Sequence, residues 1–586
     1  MMRRLAGLVL GSALVAGRLV AQEREVSIEW GVRIPLRDGT RLNATIYRPR
    51  DAAGPLPVVF TLTPYIGDTY HPFAMAMARA GYAFAAVDVR GRGNSEGSFE
   101  PFVNEGRDGH DVVEWFGTRP WSTGKVGMWG GSYGGTDQWA TIGQRPPHLT
   151  TIVPVAPAYL GVDFPMRGGI LSTYLPQWLT FTAGHAAQAQ IFADMPQWAG
   201  YARILRREGL PFQVLDSVAG NRSAVFQKWL ANPVPGPYWD QVAPTAEQYA
   251  RMTEPILTIT GAYDGDQLGT LTHYRKFLEH ATPAARDNIW LVIGPWDHGG
   301  TRVPGREVNG VRFGPGALVD IQQLNAAWYD WTMRGTGPRP AFLKDRVAYY
   351  VAGANGDVWK YAPSLEAVTR ERRRYHLAST GGANDAFGGG RLDLSPPAQS
   401  APDRWTYDPL DPPDPGEVTH ASALSFVDPT RVLDNRGNGV TYHTAPFAEE
   451  TEIAGEVSLT AWMALDVPDT DFEANLYEVQ ADGSSVLLAT SVLRARYRES
   501  LRRETLVTPG VPLPYRFTDF NWFARRIAKG SRLRLFLHSP NGLEFQQNFN
   551  SGGVVARETR ADARTAHVTV FHDRDHPSVL EVPIGR

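Results

Sequence analysis

The chain contains no cysteine in its 586 residues. That absence removes disulfides, thiolate catalysis and Cys-ligated zinc or iron–sulfur sites in one step. It does not fix the compartment, because an exported protein can simply avoid cysteine. Charge of one sign is lacking too: 58 Lys and Arg stand against 61 Asp and Glu, a formal net charge of −3. No strong field follows, so neither nucleic acid nor an anionic membrane surface is an expected partner. Past the N-terminus no apolar run is long enough to span a bilayer.

The first residues carry their own signal. Arg3 and Arg4 precede an apolar stretch over 5–16, and Ala21 suits a cleavage position, although Leu19 is larger than usual two residues before it. This is the pattern of a signal peptide over 1–21. Export to the periplasm or medium is expected, with no membrane attachment in the mature form. The length suggests two to four domains.

Near-continuous apolar runs at 57–63 (PVVFTLT) and 83–89 (AFAAVDV) suit strands buried on both faces. Helix-like stretches at 73–80 and 108–117 alternate with them. Short strands follow at 125–129 and 151–157, and the strand pattern resumes at 256–260 and 289–293 before a closing helix over 321–334. This alternation predicts an α/β fold, a mostly parallel sheet wrapped by helices, over 22–158 and 253–340. The stretch 159–252 lacks buried strand runs and is expected as a helical cap insertion. From 341 to 586, alternating segments such as 457–463 (VSLTAWM) and 532–538 (RLRLFLH) predict an all-β jelly roll, with 341–365 assigned either to it or to a linker. A Pro- and Asp-rich connection is expected at 396–415.

Gly130-Gly131-Ser132-Tyr133-Gly134 matches G-x-S-x-G. With 59 glycines in the chain the match alone is weak. Its setting is stronger: a short strand precedes it and a helix-like run follows, as a nucleophile elbow requires. A serine needs a base, and the base an orienting carboxylate. Asp264 and His298 both lie just past strand ends, in the order Ser, acid, His. Asp266 and Asp297 compete for the acid role; Asp264 ranks first because it follows its strand most closely in a Gly-bounded turn. The N–H of Tyr133 is one oxyanion donor by construction of the elbow, and Tyr65, after strand 57–63, is the candidate for a second through its hydroxyl. The alternative for Tyr65 is packing alone. The segment 88–97 lacks the phosphate-loop spacing and reads as a structural loop bordering the site.

D-V-R-G-R-G-N-S-E-G (88–97), W-S-T-G-K-V-G-M-W-G-G-S-Y-G-G (121–135), G-A-Y-D-G (261–265) and G-P-W-D-H (294–298) together resemble the cocaine esterase-like family. That family includes α-amino-acid ester hydrolases, glutaryl-cephalosporin acylases and, more distantly, Xaa-Pro dipeptidyl peptidases. P-D-T-D-F (468–472) and A-R-Y-R-E-S (495–500) are similar to its C-terminal jelly roll. The resemblance implies an α/β-hydrolase domain, a helical cap and a β-sandwich. It matches Ser132 to the nucleophile, Asp264 to the acid, His298 to the base, and Tyr65 and Tyr133 to the oxyanion hole. It implies no metal and no organic cofactor. One departure stands out: Gly134-Gly135 carry no charge where amino-acid ester hydrolases keep part of a carboxylate cluster, so Asp137 or a cap residue would have to compensate.

The expected substrate is a small-molecule ester or amide. Exopeptidase action on an Xaa-Pro substrate is the second reading, and a non-catalytic binding protein using its β-sandwich the third. A homo-oligomer is compatible with the sequence.

Overall fold

The computed structural model describes residues 24–353, 356–385, 389–398, 400–411, 425–433, 437–540 and 542–586. The expected signal peptide, and part of the expected 396–415 connection, lie outside the described residues.

The first half alternates strand and helix: β1 (Val26–Pro35), β2 (Arg41–Pro49), β3 (Leu56–Thr63), α1 (His71–Arg79), β4 (Ala83–Asp88), α2 (Glu105–Gly117), β5 (Ser122–Gly131), α3 (Tyr133–Gly143) and β6 (Leu149–Val155). A hairpin of β7 (Met166–Arg167) and β8 (Ile170–Leu171) then opens a helical stretch. Its helices are α4 (Tyr174–Phe181), α5 (Ala189–Ala193), α6 (Met195–Glu208), α7 (Leu215–Val218), α8 (Ala224–Leu230), α9 (Pro237–Asp240) and α10 (Ala246–Ala250). The sheet resumes with β9 (Ile256–Tyr263), α11 (Gln267–His280), α12 (Pro283–Arg286) and β10 (Ile289–Asp297), followed by a small hairpin, β11 (Glu307–Val308) and β12 (Val311–Arg312), and α13 (Ile321–Tyr329).

Strand pairing gives the order β1-β2-β4-β3-β5-β6-β9-β10, antiparallel at the β1 edge and parallel from β4 onward. β4 is buried at every residue, and β3 at every residue after Leu56, which is why both read as unbroken apolar runs. Because β5, β9 and β10 run in one direction, their C-terminal ends share one edge of the sheet, where α/β folds place their ligands.

Two details differ from the sequence reading. The closing helix expected over 321–334 leaves α geometry after Tyr329, runs one π turn and stops at Gly335, whose φ is 65°. The segment 341–365 is neither linker nor part of the β-sandwich pairing alone. β13 (Val347–Gly353) pairs in parallel with β10 through Val347, Ala348 and Tyr349, and β14 (Val358–Ala362) pairs with β13. The far end of β13 then pairs with Arg525 and Arg526, so one strand stitches the two halves together. An apolar strand reads the same in sequence whichever sheet it joins.

The rest is all-β: β15 (Thr369–Ala378), β16 (Gly390–Asp393), β17 (Asp403–Tyr407), β18 (Gly439–Thr444), β19 (Thr451–Gly455), β20 (Ser458–Leu465), β21 (Asp471–Val479), β22 (Ser485–Arg494), β23 (Leu513–Phe517), β24 (Phe523–Ile527), β25 (Arg532–His538), β26 (Ala566–Phe571) and β27 (Val579–Gly585). One ladder runs β22-β21-β25-β18 and another β17-β26-β20-β23. Leu459, Ala461 and Met463 of β20, alternating with half-buried neighbours, share a core with Leu476 of β21 and Leu535 of β25, strands buried almost throughout. No helix among the described residues is long and apolar enough to cross a membrane.

Candidate active site

Ser132 sits between the end of β5 and the start of α3 with φ 60° and ψ −122°, a backbone conformation that side chains other than hydrogen rarely adopt. Such a residue costs on the order of 1–3 kcal/mol and persists only where its surroundings fix it. Here its N–H donates to Val155 O at 2.9 Å, and its carbonyl accepts from Gly135 N at 2.8 Å and Thr136 N at 3.0 Å. The flanking glycines are needed for space. A Cβ on Gly130 would lie 2.9 Å from Gly134 O, and one on Gly135 would lie 2.8 Å from Val155 O.

His298 follows directly on β10, and Asp264 directly on β9. The imidazole Nδ1 donates to Asp264 Oδ1 at 2.8 Å. Asp264 also accepts from Thr260 Oγ1 at 2.8 Å and from Asp266 N at 3.0 Å. Burial would raise the Asp264 pKa, but the charge and hydrogen bond of His298 outweigh it and hold the carboxyl below the usual range. Burial would likewise lower the imidazole, yet the charges of Asp266 and Asp264 raise it above its ordinary value. With Nδ1–H committed to Asp264, Nε2 is the basic nitrogen. The two rival carboxylates are placed differently. Asp297 Oδ1 accepts from Gly300 N at 2.7 Å and holds its own turn. Asp266 stands 3.7 Å from His298 Nδ1.

Tyr65 lies on the loop after β3, its ring stacked on Phe181 of α4 with centroids 5.3 Å apart. Its hydroxyl accepts from Trp178 Nε1 at 3.2 Å, and its side chain lines the same cavity as Ser132. Burial pushes this phenol up to about 12, so it remains a proton donor throughout the neutral range. Tyr133 opens α3, and its N–H is among those a helix start leaves without an intrahelical acceptor. Its phenol points the other way, donating to Glu105 and accepting from Phe102 N at 2.8 Å. Asp137, one of the two alternatives for supplying the missing charge, is only 1% exposed and does not line the cavity. Burial and the neighbouring Glu105 raise its pKa well above normal, so it cannot compensate for the uncharged Gly134-Gly135.

The 88–97 loop is structural. Asp88 accepts from Gly67 N at 2.7 Å, and the fully buried Arg92 donates to Pro64 O at 2.8 Å and to Gly184 O. It thereby ties the Tyr65 loop to the segment between α4 and α5.

Ser132, Tyr65, Tyr133, Asp264 and His298 line one cavity of about 510 Å³, a size suited to a small organic ligand. Its walls include parts that sequence reasoning missed: Trp178 from the helical stretch, and Phe426, Leu488 and Phe545 from the β-rich half. No local motif marks them, since each is brought in by tertiary contact. Arg302 was missed too. It borders the cavity and donates to His298 O at 3.2 Å. Among the described residues no group of three or more His, Asp or Glu is arranged to hold a metal ion.

Comparison with known proteins adds two family matches. Residues 38–300 match the X-Pro dipeptidyl-peptidase (S15 family) model, and residues 342–581 match the X-Pro dipeptidyl-peptidase C-terminal non-catalytic domain. A cocaine esterase from Rhodococcus sp. (strain MB1 Bresler) is 28% identical, across 95% of this chain and 98% of that protein. The solved structure of an α-amino acid ester hydrolase superposes with TM-score 0.81 at 21% identity, covering 98% of this chain and 99% of that one. A CocE/NonD family hydrolase from Staphylococcus aureus superposes with TM-score 0.68 at 17% identity, covering 96% and 94%.

Proposed function

Because the chain belongs to the cocaine esterase-like (CocE/NonD) family of serine hydrolases, we propose that it cleaves a small-molecule ester or amide through an acyl-enzyme on Ser132. The observation that carries this reading is the Nδ1–Oδ1 bond between His298 and Asp264 at the sheet edge that also presents Ser132. Ser132 Oγ attacks the carbonyl carbon and its proton passes to His298 Nε2. The oxyanion meets Tyr133 N–H and the Tyr65 hydroxyl. Collapse breaks the bond to the leaving group, which takes the proton from His298 and departs as alcohol or amine. Water then attacks the acyl ester, giving its proton to His298. The acid leaves and Ser132 recovers its hydrogen.

Esters rank ahead of amides because the cocaine esterase and α-amino acid ester hydrolase relatives are named for ester cleavage. The apolar wall of Phe426, Leu488 and Phe545 suits a hydrophobic acyl or alcohol group. A fluorophosphonate should label the protein at Ser132, and an activated ester should give a burst of leaving group equal to the enzyme concentration. Labelling at another residue, or no labelling of active enzyme, rejects the mechanism. We also read 1–21 as a cleaved signal peptide, which N-terminal sequencing of the mature protein tests.

A further inference from the structure

Asp266 takes the N-cap position of α11, where an aspartate normally accepts an N–H from its own helix. Here its side chain caps nothing. The carboxylate turns to the imidazole, with Oδ2 3.7 Å from His298 Nδ1. That is the same nitrogen Asp264 Oδ1 holds at 2.8 Å, and the Asp266 N–H donates to that same Asp264 oxygen at 3.0 Å. Two carboxylates of one turn thus converge on one ring nitrogen. Only Asp264 is within hydrogen-bond distance of it.

We propose that Asp266 is a positioning residue of the hydrolysis, a second carboxylate that holds His298 and stabilises its imidazolium alongside Asp264. The proposal rests on His298 being the base. As His298 takes the Ser132 proton, positive charge develops on a half-buried ring, and a fixed negative charge nearby lowers the energy of that state. The same attraction makes the resting ring hold its proton to higher pH.

The groups around Asp266 come from several elements. Asp264 shares its turn. Asp163, on the loop after β6, is half-buried and accepts from Tyr159 N at 2.9 Å and from Gly269 N. Tyr174 approaches from α4, and Arg302 from the loop after β10. Burial pushes Asp266 up to about 6, with His298 and Arg302 opposing and Asp264 assisting. Burial, and after it the charge of Asp266, raises the Asp163 carboxyl well above the ordinary range. Among the influences raising His298, the charge of Asp266 comes first, ahead of that of Asp264.

The test is the pH profile of kcat/KM on an uncharged p-nitrophenyl ester for wild type, Asp266→Asn, Asp266→Ser and Asp266→Glu. Serine is a competent N-cap, so the second neutral variant guards against a folding defect. Both neutral variants should move the acidic limb down by on the order of one pH unit. Their plateau kcat should fall about tenfold with KM little changed, as expected for lost transition-state stabilisation. Asp266→Glu should restore the limb towards wild type. An unmoved or upward-moved limb in folded neutral variants overturns the proposal while leaving His298 as base. A wild-type profile with no acidic limb removes the base and this proposal with it.

Discussion

The phenolic oxygen of Tyr65 accepts a hydrogen bond from Trp178 Nε1 at 3.2 Å. The donor lies on α4 and the acceptor on the loop after β3, so the helical insertion orients a hydroxyl belonging to the catalytic sheet. A phenol has one proton to donate. With the indole N–H directed at its oxygen, that proton is left for the oxygen chemistry at Ser132, which lines the same cavity.

Tyr65→Phe therefore separates a donor from a packing residue. Phenylalanine keeps the stack on Phe181 and loses only the hydroxyl. Removal of an oxyanion donor typically costs about 10² to 10³ in kcat, with KM nearly constant because the bond strengthens as charge develops. A kcat within about threefold of wild type on both an activated ester and an amide, well short of that loss, would take Tyr65 out of the oxyanion site.

Ser132 offers a paired test of chemistry and strain. Ser132→Ala should lower turnover by roughly 10³ or more and leave the fold intact, since alanine keeps the same Cβ. Ser132→Gly should be equally inactive yet more stable than Ser132→Ala by about 1 kcal/mol, because glycine tolerates positive φ. Calorimetry of the two inactive variants decides it. Equal melting temperatures would mean that the 60° φ carries no strain.

Much of this site was legible in the sequence because its core is local. The elbow is a short motif between a strand and a helix, and Asp264 and His298 follow directly on strands whose apolar runs stand out. What was not legible depends on long-range packing. Phe426 and Leu488 reach the cavity from the β-rich half, and nothing in their own segments distinguishes them from core residues of an all-β fold. Asp137 looked available because it is the next acidic residue after the elbow, but its position in the sequence does not say that its side chain is buried. Asp266 and Asp264 differ by two positions in one turn, and only the turn's three-dimensional course sets their different distances from His298.

The pH dependence of kcat/KM should follow His298. The ring must be neutral to accept the serine proton. Burial lowers its pKa, but Asp266 and Asp264 together raise it above the ordinary value of 6.5. Activity should therefore fall on acidification with a midpoint above that of a free imidazole. Steady-state profiles of kcat/KM, which report the steps through acylation whichever step limits turnover, measure it. A flat profile from about pH 5 to 8, where an imidazole base must titrate, would contradict the assignment.

Behind the elbow, Glu105 gives a stability prediction with a definite sign. Its carboxyl is almost fully buried, accepts from the Tyr133 phenol and from Asn104 N at 3.0 Å, and has no ion-pair partner among the described residues. Burial pushes its pKa from 4.5 up to about 7, against the hydrogen bond from Tyr133. A carboxyl raised in the folded state keeps its proton where the unfolded chain has released it. Its stabilising contribution is thus complete below 4.5 and is lost as pH rises towards 7. The loss is at most about 3 kcal/mol, from 1.36 kcal/mol per pKa unit. Glu105→Gln removes that titration while keeping an acceptor for Tyr133. At pH 5 the variant should be no more stable than wild type, since it gives up the bond from Asn104 N, worth about 1 kcal/mol. Between pH 5 and pH 8 wild type should lose stability relative to the variant, so that Glu105→Gln becomes the more stable protein on the alkaline side. Asp137 is raised in part by the Glu105 charge, so removing that charge lowers Asp137 as well and adds to the variant's gain on the alkaline side. Chemical denaturation of the pair at the two pH values gives the result. Stability curves that stay parallel from pH 5 to pH 8 would show that Glu105 is not held protonated beneath the nucleophile.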